Sequence, residues 1–74
     1  MITEEQIRRC AYLSTPQLEQ LIQKNYPEDR FITTKFLGIT NGHQFCYAAT
    51  YTDPDYDQPQ QTKVFVNTDM TADY

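Results

Sequence analysis

The pair Asn41-Gly42, set between two runs of β-branched and aromatic residues, is the feature that most narrows what this chain can fold into. A two-residue type I′ turn needs positive φ at both central positions, and Asn-Gly meets that need better than almost any other pair. Phe31 to Thr40 therefore reads as one strand and His43 to Thr52 as the strand returning beside it. A two-residue turn also sets the register. It pairs Thr40 with His43, Gly38 with Phe45, Phe36 with Tyr47, Thr34 with Ala49 and Ile32 with Tyr51. That face is rich in aromatic rings and is the one for helices to cover. The other face carries Thr33, Lys35, Leu37 and Ile39 opposite Thr50, Ala48, Cys46 and Gln44, and is partly apolar.

The hairpin is preceded by helical signals. Thr3-Glu4-Glu5-Gln6 matches a capping box, and Ile2 with Ile7 matches a hydrophobic staple. This predicts a helix over about residues 4–12 that buries Ile7, Cys10 and Ala11. Ser14-Thr15-Pro16 restarts the chain, with Thr15 as cap and Pro16 as first helical residue. Leu18, Leu21, Ile22 and Tyr26 then recur at helical spacing, and Pro27 ends a second helix spanning about residues 16–26. After the hairpin, residues 53–61 read as a surface loop with two prolines and three aspartates. Residues 62–67 supply a third short strand, and residues 68–74 lack an apolar pattern and are expected to fray. The expected fold is α+β, two N-terminal helices packed on a three-stranded antiparallel sheet (ααβββ) in one domain over residues 1–74.

Composition constrains function more by exclusion. A chain of 74 residues has room for a single core, and a domain of this size buries only about 60% of its unfolded surface. Six Lys and Arg against ten Asp and Glu argue against DNA or RNA as partner, because phosphate neutralisation carries most nucleic-acid affinity. No run approaches the roughly 20 apolar residues that span a bilayer, and no charged-then-apolar leader opens the chain. A cytoplasmic protein with no membrane association is the resulting expectation. Cys10 and Cys46 are too few for a disulfide framework and read as two buried thiols, a single bond between them being the alternative.

Motifs for chemistry are weak. Asp53, Asp55 and Asp57 alternate like the opening of a calcium loop, but Gln58 and Val64 stand where that loop needs Gly and Glu. His43 is the only histidine, which is too little for a zinc site, and residues three apart on a strand put it on the opposite face from Cys46. Gly38 and Gly42 cannot build a phosphate loop. No catalytic residue, metal or cofactor is expected, and the chain does not read as an enzyme. A protein-binding module acting as an inhibitor, adaptor or regulatory accessory is the best fit. Tyr51, Asp53, Asp55, Tyr56 and Asp57 are its candidate partner-facing residues, with Leu37 and Ile39 on the second sheet face. A second copy of the chain could cover that face as a homodimer. The alternative is a helix-turn-helix-like nucleic-acid binder with a β-hairpin wing, presenting Gln17, Glu19, Gln20, Gln23 and Lys24 from the second helix with Arg8, Arg9 and Arg30 for phosphates.

Overall fold

The computed structural model describes residues 2–74. Two helices, α1 (Glu4–Ala11) and α2 (Thr15–Ile22), precede an antiparallel meander of β1 (Arg30–Ile39), β2 (Phe45–Thr52), β3 (Gln60–Val66) and β4 (Ala72–Asp73), in that order across the sheet. The layout is the expected α+β one, with a fourth strand added.

Both helices begin with reciprocal caps. At α1, Thr3 accepts from the Gln6 N–H (3.2 Å) while Gln6 Oε1 accepts from the Thr3 N–H (2.9 Å). At α2 the cap is Ser14, one residue earlier than expected, with Gln17 completing the box. Thr15 is freed for another task, and its hydroxyl meets that of Thr34 on β1 at 2.8 Å. The helix also ends earlier than Pro27 requires. Backbone N–H groups of Asn25 and Tyr26 both turn back to the Ile22 carbonyl, at 3.0 and 2.8 Å, and close the helix in a turn.

The hairpin is not the type I′ turn that Asn41-Gly42 suggests. Neither of those residues has a positive φ; the left-handed residue is His43, at φ 60°. Thr40 N–H bonds the Gln44 carbonyl (2.8 Å) and His43 N–H bonds the Thr40 carbonyl (3.0 Å), so three residues, 41 to 43, form the loop. The extra loop residue shifts the register by one near the tip, where Gly38 pairs with Cys46 and Ile39 with Phe45. A bulge at Leu37 takes the shift out again, and Phe36 faces Tyr47 and Thr34 faces Ala49 as the alternation demands. A second bulge at Ile32 moves the far end by one more residue. Phe31, not Ile32, therefore faces Tyr51 and is buried, while Ile32 is 52% exposed.

Residues 68–74 do not fray. Asn67 to Thr71 repeats the loop geometry of the hairpin tip, with Met70 as the left-handed residue at φ 67°, and returns the chain as β4 beside β3. Ala72 is buried, and the Tyr74 ring lies 4.6 Å from Tyr26 and 5.2 Å from Tyr51. The missing apolar periodicity is explained by the brevity of β4, which is too short to show one.

The core lies between the helices and one sheet face. Cys10, Ala11, Leu18 and Ile22 from the helices meet Phe31, Phe45, Tyr47, Ala49, Val64, Val66 and Ala72 from the strands. Tyr47 is the largest fully buried side chain. Its hydroxyl donates to the Cys10 carbonyl at the end of α1 and accepts from the Leu13 N–H (3.3 Å) in the link to α2. Cys46 lies on the other face, so both thiols are free and the sheet separates them.

Two substitutions test this construction. Tyr47→Phe leaves the Cys10 carbonyl and Leu13 N–H without a partner and is expected to lower unfolding free energy by about 1–3 kcal/mol in urea titration. Gly38 has φ +147° with open space around a built Cβ. Gly38→Ala is therefore destabilising through the backbone alone, by about 1–3 kcal/mol, and a melting curve unchanged from wild type would contradict the bulge geometry.

Candidate functional site

Three surfaces stand out, and they lie at different places on an elongated body of 41 × 20 × 19 Å. The first is the free edge of β1. Among the described residues, four of the six large apolar side chains that are exposed belong to this one strand: Ile32, Phe36, Leu37 and Ile39. The bulges distribute them. Leu37 and Ile32 are the extra residues, without a partner on β2, whereas Ile39, paired with the buried Phe45, is on the helix side of the sheet. The expectation that Leu37 and Ile39 share the second face is thereby corrected. Both remain close to half exposed, at 49% and 44%.

The open face of the sheet is the second surface. Ala48 between Lys35 and Lys63, and Thr50 between Thr33 and Gln61, form two cross-strand rows. Small residues in the central strand leave a groove of about 430 Å³. Its lining offers two ammonium groups, hydroxyls and one amide, and contains no carboxylate, imidazole or thiol.

The third surface is an acidic cleft of about 230 Å³ between the segment leaving α2 and the loop joining β2 to β3, lined by Asn25, Tyr26, Pro27, Glu28, Asp29, Asp53 and Asp55. Asp53 and Asp55, predicted from sequence, are here; Tyr56 and Asp57 continue the exposed loop, and Tyr51 is outside the lining, its ring packed between Phe31 and Tyr74. These residues and the Leu37–Ile39 group are not brought together. The eight residues of β2 separate them, about 23 Å at 3.3 Å per residue. The alternating aspartates form a local turn in which Asp53 Oδ1 accepts from the Asp55 N–H at 2.8 Å. Among the described residues no three carboxylate, imidazole or thiol groups converge on a metal-sized position.

Asp29 is the residue that sequence reasoning missed. It is the one buried charged side chain among the described residues, 4% exposed. Burial, foremost, and then hydrogen bonding and repulsion from Asp53, with Asp55 and Glu28 adding to it, push its carboxyl up to about 6. The neighbouring Arg30 does not relieve it, since that guanidinium bonds the carbonyls of Pro27 (2.7 Å) and Asp29 (2.9 Å) and approaches Glu19 at 4.0 Å. A signal was present in the sequence. Residues 29 and 31 share a face in an extended segment, so once Phe31 points inward, Asp29 does too.

The helix-turn-helix alternative meets a different obstacle. Packed against β1 and β4, α2 is only eight residues long, Lys24 falls beyond its end, and Glu19 is engaged with the Phe31 N–H at 3.1 Å. No helix of the described residues is long and apolar enough to cross a membrane. No protein-family model, curated protein or solved structure gives a significant match to this chain.

A raised carboxyl in the folded state means that the fold holds a proton the unfolded chain would release. Stability contributed by Asp29 is present below the ordinary aspartate range and is lost as pH rises through about 6. The melting temperature is expected to be a few degrees higher at pH 5 than at pH 7.5. Asp29→Asn should flatten that difference and raise the value at pH 7.5; an unchanged pH profile in the variant would assign the effect elsewhere.

Proposed function

We propose that this chain is a non-enzymatic protein-binding module that docks its partner along the free edge of β1, acting as an inhibitor, adaptor or regulatory accessory. The observation that carries the reading is the concentration of exposed Ile32, Phe36, Leu37 and Ile39 on a ten-residue strand with one unpaired edge. An edge of this kind offers backbone N–H and C=O groups in a row and apolar side chains beside them, the combination used in strand addition. Rim contacts from Tyr56 and Asp57 belong to the opposite end and would serve a partner large enough to span the sheet. Net charge of −4 supports a protein rather than a nucleic acid.

Immobilised chain exposed to native lysate, washed with nuclease, tests the proposal when wild type is compared with the double variant Leu37→Lys, Ile39→Lys. Both positions are surface sites, so the variant should keep its thermal transition within a few degrees. Expected is one protein retained near stoichiometry by wild type and reduced at least about tenfold, equivalent to 1.4 kcal/mol, in the variant. If the retained protein is the chain itself, sedimentation gives the homodimer directly. Retention that vanishes with nuclease would restore the nucleic-acid reading, and equal retention by both forms would move the interface off β1.

A further inference from the structure

We propose that the cleft between the α2–β1 connection and the β2–β3 loop is a receptor for an arginine side chain presented by a partner protein. Four acids line the cleft, Glu28, Asp29, Asp53 and Asp55, and no Lys, Arg or His does. Acids on a surface are ordinarily solvated and need no ligand. Asp29 differs, because its side chain is more than nine-tenths buried and lines the cleft. Its hydrogen-bonding neighbour is the Asp53 carboxyl, which serves only while a proton is held between the two. Once both are ionised, Asp53 keeps the Asp55 N–H at 2.8 Å, whereas the Asp29 carboxylate has no side-chain donor from the chain. The Tyr26 hydroxyl is turned away and donates to Asp73 at 3.0 Å, and Arg30 is held on backbone carbonyls at 2.7 and 2.9 Å.

A guanidinium supplies what is missing. Its planar fork carries five N–H donors and can engage two carboxylates at once, whereas an ammonium is a compact charge that keeps its water more tightly. Tyr26 and Pro27 give the cleft a flat, partly apolar wall, which suits a delocalised cation and the aliphatic stem behind it. The upward displacement of the Asp29 carboxyl fits the same picture, since a bound cation would favour the ionised form that burial now disfavours. That the arginine comes from a protein rests on the binding-module reading; the chemistry of the cleft does not.

The test uses the full chain, isotopically labelled, titrated with acetyl-arginine-methylamide at pH 7 and low salt, with the neutral isostere acetyl-citrulline-methylamide as control. Expected are saturable amide shifts confined to residues 25–29 and 53–55, with a dissociation constant on the order of millimolar. The Asp29 carboxyl titration should fall toward the ordinary aspartate range as the ligand saturates. Citrulline should give none of this, and Asp29→Asn with Asp53→Asn should abolish it while leaving the circular dichroism spectrum unchanged. Equal shifts for arginine and citrulline, shifts spread over Glu4, Glu5 and Asp69 as well, or displacement by micromolar calcium would each overturn the assignment. Arginine binding without any captured protein would sink the binding-module reading alone. Capture through β1 without arginine binding would sink the cleft alone.

Discussion

The hydroxyl of Tyr47 is the point on which the two layers depend. Helices of eight residues are marginal by themselves, because nucleation is costly and only a couple of turns follow it. Their stability here comes from the apolar stripe they bury and from being held in place at their junction. Tyr47 does both: its ring fills the centre of the core, and its oxygen joins the last turn of α1 to the first residues of the link. Burial raises the phenol's proton affinity, which keeps it a donor to the Cys10 carbonyl across ordinary pH. With α1 and the link so fixed, α2 is delivered onto β1 and β4, and the segment leaving α2 is delivered to the acidic cleft.

Much of this layout was legible because the signals were local. The Thr3 and Gln6 capping box, the Pro16 start and the β-branched run beginning at Phe31 each act over a few residues and were read correctly as element types. What escaped was nonlocal. Asn41-Gly42 favours one turn, yet the chain adopts a longer loop with His43 left-handed, and the compensating bulge at Leu37 sets Phe36 and Thr34, not Lys35, opposite Tyr47 and Ala49. The central register survived because the two changes cancel.

The same cause hid the candidate site. Asp29 lies before the strand expected over Phe31 to Thr40, and with Ile32 inward a residue three positions earlier falls on the opposite face. The bulge at Ile32 reverses that parity, buries Phe31 and carries Asp29 in with it. One inserted residue in an edge strand thus decides which carboxyl is desolvated. Asp53 reaches the same place from the other side of the sheet's end, 24 positions later, through a loop whose two prolines limit its excursions.

The unequal length of the two sheet edges has a consequence for assembly. At one border stands a ten-residue strand and at the other a strand of two residues. Open-ended polymers by strand pairing need a donor edge and an acceptor edge on every subunit, so that each addition regenerates the surface it consumed. Here the far border is β4 over two residues and, beyond its reach, residues 60–64 of β3, a mostly polar stretch that carries Lys63. Two chains that meet through β1 use up the long apolar edge on both, and the pair exposes only the shorter, mostly polar border of β3 and β4. The interruptions at Ile32 and Leu37 work in the same direction, since they break the straight run of hydrogen-bonding groups on which a fibre would template. An apolar border that would otherwise be an aggregation hazard is therefore consumed when two copies pair and is not regenerated on the outside of the pair.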